Sequence, residues 1–135
     1  MHRSVIKATF KTDIQTLWDT VTDNTDWSWR KDLSKIEIED DTHFTEYTTG
    51  GYPTHFTITV KEPLKKYAFK MKNAHTEGTW LGLFEELPGG GIQIEFTEEI
   101  DLGNPIKDLL CRILKPYKKM QEQYVYNLKS RLGEM

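Results

Sequence analysis

The chain has 135 residues, of which 12% are aromatic and 29% charged, and its formal net charge is -3 at pH 7. These totals argue against a disordered chain and against the basic footprint of a nucleic-acid-binding protein. No apolar run approaches the roughly 20 residues of a membrane-spanning helix. The length predicts one domain over residues 1–135, with a core that needs neither metal nor disulfide. A single cysteine and an N-terminus without an apolar leader predict a cytoplasmic protein.

The first part of the chain predicts one strand followed by two helices. Residues Arg3–Lys11 alternate apolar with polar side chains, which is typical of a half-buried strand. The apolar residues that follow recur at helical spacing: Ile14, Leu17, Trp18 and Val21. A short second helix is expected over Trp27–Leu33, with Asp26 as its N-cap.

From Ser34 to Asp101 the period is two, and turn residues interrupt it at hairpin spacing. The pattern predicts six further short strands in an antiparallel meander with one apolar face. For the strand over Glu77–Leu87, the pattern does not decide which face points inward. Either Trp80, Gly82 and Phe84 or Leu81, Leu83 and Leu87 could form the apolar side.

The last segment, Pro105–Gly133, predicts a long amphipathic helix with a kink or restart at Pro116. Its apolar stripe is continuous: Ile106, Leu110, Ile113, Tyr117, Met120, Tyr124, Leu128 and Leu132. Because the sheet must cover its apolar face, we expect it to wrap around this helix. The predicted fold is therefore α+β.

Several segments together resemble the START-like or helix-grip (SRPBCC) superfamily, in its polyketide cyclase/dehydrase branch. The resemblance spans the chain and rests on these segments: Ile14–Asp23 with its central Trp18, the aromatic pair Trp27 and Trp29, Thr79-Trp80, the Pro88–Gly91 turn and Leu128–Leu132. It implies a seven-stranded antiparallel sheet in the order β-α-α-β6-α, wrapped around a long C-terminal helix. It also implies a cavity between sheet and helix, which relatives use to bind lipids, sterols or polyketides.

The residues expected to line or gate such a cavity are mostly aromatic, as is typical of pockets for apolar ligands. The candidate ligand-binding set is Trp18, Trp27, Trp29, Phe56, Phe69, Trp80, Phe84, Phe96, Glu98, Ile113, Tyr117, Met120 and Tyr124. Glu98 shares a strand face with Phe96 and Ile100. A carboxyl among such neighbours is expected to have a raised pKa.

Other chemistries find little support in the sequence. The histidines lack metal-ligand spacing, so we expect no metal and no cofactor: they are His2, His43, His55 and His75. There is no nucleophile elbow, and Cys111 is expected to pack against its helix neighbours. The lysines over residues 65–72 alternate with Tyr67 and Phe69, which places them on a solvated outer face rather than a nucleic-acid surface.

The sequence favours a binding protein for a small hydrophobic or amphipathic ligand, such as a lipid or a polyketide-like molecule, for transport or sequestration. The first alternative is a cyclase or dehydratase, in which Glu98 or Tyr124 acts as acid or base on a bound substrate. The second is a chaperone-assisting interaction module, which predicts an exposed apolar patch. We expect no integral membrane association, and both a monomer and a homodimer fit the sequence.

Overall fold

A computed structural model describes residues 1–135 and contains seven strands and three helices. The strands are β1 (His2–Phe10), β2 (Leu33–Ile38), β3 (His43–Thr48), β4 (Pro53–Glu62), β5 (Lys66–Lys72), β6 (Glu77–Glu86) and β7 (Ile92–Asp101). The helices are α1 (Ile14–Thr22), α2 (Pro105–Leu114) and α3 (Pro116–Arg131). None of the three helices combines the length and the apolar composition needed to cross a membrane.

All strands form one antiparallel sheet in the order β1-β7-β6-β5-β4-β3-β2. Because β1 joins the far side of β7, the first and last strands of the chain are neighbours. The sheet faces α3 with its apolar side, and the pairing shifts by a residue at Leu33/Lys35 and at Ile58/Val60. Such irregularities increase the local bend of a sheet. The predicted α+β helix-grip architecture is confirmed.

The open question about the inner face of β6 has a clear answer. Gly82 and Phe84 are buried, whereas Leu83 is 38% exposed. On the neighbouring β7, Ile94 and Phe96 point to the same side and are buried. The face that carries Trp80, Gly82 and Phe84 is therefore the inner one.

Helix α1 closes one end of the sheet. Its N-cap is Asp13, whose carboxylate accepts the backbone N–H of Thr16 at 2.8 Å. Trp18 packs edge-on against Tyr67 and Phe84, with ring centroids 6.1 and 5.1 Å away. These contacts bury the apolar face of α1 in the main hydrophobic core.

The predicted second helix over Trp27–Leu33 is wrong, since this stretch forms turns. The Asp26 carboxylate accepts the Ser28 hydroxyl at 3.0 Å, and the Asp26 carbonyl accepts the indole N–H of Trp29 at 3.2 Å. Local side-chain bonds of this kind compete with helix formation. The turn buries Trp29 and directs Arg30 toward the cavity described below.

The C-terminal helix breaks at Pro116, as its sequence predicts. Lys115 adopts the left-handed conformation (φ 51°, ψ 48°), so α2 ends there and α3 restarts. Helix α3 lies across the sheet and is held to its β1 edge by Gln121. The Gln121 amide accepts the Ser4 hydroxyl at 2.7 Å and donates to the Ser4 carbonyl at 3.0 Å.

Helix α2 does not cover the sheet, which corrects the expectation of one continuous buried stripe. None of its residues is buried, and its apolar side chains face solvent: Ile106, Leu109, Leu110, Ile113 and Leu114. The reversal of direction at Lys115 separates the apolar stripe of α2 from that of α3. An exposed apolar patch of this kind is the feature that the interaction-module alternative predicts.

Candidate functional site

A cavity of about 810 Å³ lies between the inner face of the sheet and α3. Eight of the thirteen candidate residues line it: Phe56, Phe69, Trp80, Phe96, Glu98, Tyr117, Met120 and Tyr124. Strand alternation brings the β4 to β7 members to one face, and the helical period of α3 brings the others opposite them. The predicted cup therefore exists, and most of the candidates form its wall.

The other five candidates do not line the cavity. Trp18 and Phe84 belong to the core beneath it, and Trp29 is buried behind Tyr124. Trp27 is half-buried outside the wall. Ile113 is 65% exposed on α2, a helix that has no buried residue.

Two stacked pairs of aromatic rings form part of the wall. Phe69 and Trp80 are parallel within 4° at a centroid distance of 4.9 Å, and Phe44 and Phe56 within 6° at 4.8 Å. The ring centroids of Phe96 and Trp80 are 4.7 Å apart. Flat rings of this kind offer a large apolar surface that matches planar or ring-containing ligands.

Exposed lining residues mark where the cavity opens to solvent. We call them the rim: Asp32 before β2, Thr48 at the end of β3, Tyr52 and Pro53 where β4 begins, Lys72, Ala74 and His75 around the β5–β6 turn, and Met120 and Gln123 on α3. The rim therefore contains one lysine and one histidine, and Lys72 also lies 3.6 Å from Glu77.

Five of the polar side chains that line the cavity form a group that we call the polar cluster: Arg30, Glu46, Tyr67, Glu98 and Tyr124. Arg30 is the cation of the cluster. Its Nη1 and Nη2 atoms lie 3.4 Å from the two carboxylate oxygens of Glu46, and Nε and Nη2 donate to Asp32 at 3.0 and 2.9 Å. The guanidinium also lies 4.8 Å from the ring centroid of Tyr124.

This ion pair is largely withdrawn from water, with the side chains of Arg30 and Glu46 only 14% and 16% exposed. Burial opposes the charge of Arg30, but Glu46 and Asp32 outweigh that penalty and raise the pKa of the guanidinium. Burial also raises the pKa of Glu46, against the opposing effect of Arg30. The guanidinium thus makes four hydrogen bonds to protein carboxylates.

Glu98 is on β7, directly opposite Trp80 of β6. Burial raises its pKa to about 7, and the negative charge of Glu46 adds to this effect while Arg30 opposes it. The raised pKa agrees with the expectation from its apolar neighbours. Glu98 is therefore a carboxyl that exchanges a proton near neutral pH inside an aromatic cavity.

Two phenols complete the cluster. Tyr67 is 2% exposed, and its hydroxyl has no hydrogen-bond partner. Burial raises the pKa of Tyr67 and, more strongly, that of Tyr124, so both stay protonated at neutral pH. Arg30 opposes the rise in the pKa of Tyr124, and the negative charge of Glu46 adds to it.

The sequence analysis missed Arg30 and Tyr67 as site residues. Arg30 was hidden within the wrongly predicted helix. Tyr67 could have been predicted, because it is two residues from Phe69 and therefore lies on the same, inner face of β5. No group of three or more His, Cys, Asp or Glu side chains has the proximity needed to hold a metal ion.

Comparison with known proteins identifies relatives by structure alone. No family model and no curated protein matches the sequence. Among solved structures, a protein from Mesorhizobium loti superposes with a TM-score of 0.80 at 15% identity, covering 99% of this chain and 98% of its own.

Two further structures are informative through their descriptions. A START superfamily protein from Mycobacterium smegmatis has a TM-score of 0.76 at 10% identity, covering 99% of each chain. DynU16, a protein from the dynemicin biosynthetic locus, has a TM-score of 0.76 at 12% identity; this chain is covered to 98% but spans only 48% of DynU16. The fold is thus START-like, and fold likeness at this identity leaves the function to the site itself.

Proposed function

We propose that this protein binds a small apolar or amphipathic molecule in the cavity between its sheet and α3. The observation that carries the proposal is the cavity of about 810 Å³, whose wall includes two stacked pairs of aromatic rings. Ligand pockets typically enclose about 300–1,000 Å³ and combine aromatic walls with a few polar groups. The START superfamily structure that resembles this chain adds support from fold analogy.

The aromatic wall favours a ring-containing ligand over a simple alkyl chain. The parallel pair Phe69 and Trp80 presents a flat surface, and Phe96 and Tyr124 meet edge to face at 5.8 Å. Aromatic pairs contribute about 0.5–1.5 kcal/mol beyond the apolar area that they bury. A planar ligand gains this increment wherever it stacks on the wall.

Titration with the neutral dye Nile red, followed by its fluorescence, tests the proposal. Met71 lies on the inner face of β5 and lines the cavity, so Met71→Trp fills part of the space. Leu83→Trp adds the same ring on the outer face of β6 and serves as the matched control. We expect saturable binding that Met71→Trp weakens at least about tenfold and Leu83→Trp leaves unchanged. Absence of binding, or equal affinity in all three proteins, contradicts the proposal.

A second candidate function is dehydration of a bound β-hydroxyketone, and the pKa of about 7 at Glu98 favours it. The Glu98 carboxylate would take the proton from the carbon next to the ketone. Tyr124, which stays protonated, would donate a proton to the departing hydroxyl, so that water leaves and an enone forms. A general base works best when its pKa is close to the working pH.

The aldol adduct of benzaldehyde and acetone is a suitable probe, because its dehydration product absorbs in the near ultraviolet. The dehydratase proposal expects turnover that Glu98→Gln abolishes and that Glu95→Gln, on the outer face of the same strand, preserves. Binding of the adduct without any turnover contradicts the enzyme and leaves the binding function standing.

A further inference from the structure

The polar cluster contains a hydroxyl that the protein itself does not satisfy. The Tyr67 hydroxyl is buried and makes no hydrogen bond within 3.5 Å, although the Asn24 side chain, which also lines the cavity, is near enough to lower its pKa. Leaving a buried hydroxyl unpaired costs about 1–3 kcal/mol, so buried polar groups nearly always have a partner. A ligand with a polar group at this position supplies that partner.

The charges of the cluster restrict which polar group can bind there. Arg30 is its only cation, and Asp32 and Glu46 already bind that guanidinium. Two carboxylates against one guanidinium leave a formal charge of -1 before Glu98 is counted. An anionic ligand group would meet like charge beside Glu46, whose side chain is only 16% exposed, and burial strengthens Coulomb interactions.

Glu98 remains available to a ligand. None of the protein's ion pairs includes it, and its carboxyl faces the cavity opposite Trp80. Whether ionised or neutral, a carboxyl accepts a hydrogen bond from a hydroxyl, and the ionised form also pairs with an ammonium. Tyr67 can accept or donate a bond to the same kind of group.

We propose that the ligand carries a hydrogen-bond-donating end, a hydroxyl or a protonated amine, which binds Glu98, and that the polar cluster discriminates against carboxylates. The proposal rests on the binding function proposed above and specifies its ligand class. The class consists of ring-containing alcohols, phenols and amines, whereas free fatty acids and aromatic acids are excluded from the cluster.

A carboxylate could still bind in the reverse orientation, because the rim contains Lys72 and His75. Both side chains are exposed, so the double variant Lys72→Gln/His75→Gln removes these cationic groups without disturbing the core. Measurements in this background report on the polar cluster alone.

The experiment compares four naphthalene probes with the same carbon skeleton by isothermal titration calorimetry. The probes are 2-methylnaphthalene, the corresponding alcohol, the corresponding amine and 2-naphthoic acid. At about pH 8 the amine is protonated and the acid is ionised. In the double variant we expect the alcohol and the amine to bind at least about tenfold more tightly than the acid.

The results separate the two proposals. If none of the four probes binds, the binding function itself fails. If the hydrocarbon binds and the acid equals or exceeds both the alcohol and the amine, the binding function stands and the proposed ligand class is overturned.

Substitutions then test the residues. Glu98→Gln keeps an acceptor for the alcohol but loses the charge that pairs with the amine, so we expect about tenfold weaker amine binding and a smaller change for the alcohol. Glu95→Gln on the outer face of β7 is the control. Unchanged amine affinity in Glu98→Gln contradicts the assigned role of Glu98.

Discussion

The indole ring of Trp80 lies over Gly82, its second neighbour on the same face of β6. A Cβ atom at position 82 would approach Cη2 of the indole to 2.6 Å and Cζ3 to 2.8 Å. Only glycine therefore leaves room for the ring at this position. The close approach accompanies the parallel packing of Trp80 against Phe69, which forms one wall of the cavity.

Gly82→Ala is expected to displace the indole and to reduce the free energy of unfolding by about 1–3 kcal/mol, because added atoms in a packed region force neighbouring side chains out of place. Urea unfolding measures the change. Gly89→Ala is the matched control: a Cβ there meets no atom within 4 Å, and Gly89 has no positive φ. Equal stability of the two variants would show that the indole position does not depend on Gly82.

The ion pair between Arg30 and Glu46 gives a second prediction. Arg30→Met leaves a largely buried carboxylate without its partner, which typically costs about 3–5 kcal/mol. The double variant Arg30→Met/Glu46→Met removes both charges and is expected to recover most of that loss. Urea unfolding of the two single variants and the double variant measures the coupling. Additive effects would contradict a direct interaction between these side chains.

Glu98 predicts a pH dependence of stability. In the unfolded chain its carboxyl ionises near the usual pKa of 4.5, whereas in the folded protein it ionises near 7. Between these values the folded state binds more protons, so the contribution of Glu98 to stability falls as the pH rises. Glu46, Arg30 and Tyr117 are the charged or titratable groups whose pKa values are coupled to that of Glu98.

Glu98→Gln removes this dependence. Relative to the unsubstituted protein, the variant is expected to gain stability progressively from about pH 5 to about pH 8, up to roughly 3 kcal/mol. Chemical unfolding at several pH values measures the gain, and Glu95→Gln is expected to show none. A constant difference between the Glu98→Gln variant and the unsubstituted protein across this range would mean that Glu98 ionises normally in the folded state.

Substitutions on helix α2 are expected to have little effect on stability. Leu109→Ala and Ile113→Ala shorten exposed side chains and are each expected to change the free energy of unfolding by no more than about 0.5 kcal/mol. Leu128→Ala on α3 truncates a fully buried side chain and is expected to cost about 2–5 kcal/mol. Thermal or urea unfolding compares the three. Losses above 2 kcal/mol in the α2 variants would mean that this helix packs against the protein.

The sequence was a good guide to the sheet because strand alternation is a local property. Phe96 and Glu98 share a face whenever β7 is extended, and this placed both on the cavity side. The turn over Pro88–Gly91 likewise predicted the β6–β7 hairpin from its residues alone. The same reasoning could not choose the inner face of β6, since both of its faces carry apolar residues.

Predictions about helices failed where long-range packing decides the outcome. The period of Ile106, Leu110 and Ile113 correctly predicts a helix but not whether its apolar face is covered. The left-handed turn at Lys115 determines that orientation. The Trp27–Leu33 segment failed differently, because Asp26 bonds to Ser28 and Trp29 instead of capping a helix.

Taken alone, the sequence determined an α+β fold with an antiparallel meander, a kink or restart at Pro116 and a Glu98 carboxyl among apolar neighbours, since each follows from local period or residue type. The tertiary structure decided the rest: a cavity of about 810 Å³, the convergence of Arg30 with Glu46 and Tyr124, and the unpaired hydroxyl of Tyr67. These features join residues that are distant in the chain. Their proximity depends on sheet curvature and helix placement, which no local pattern encodes.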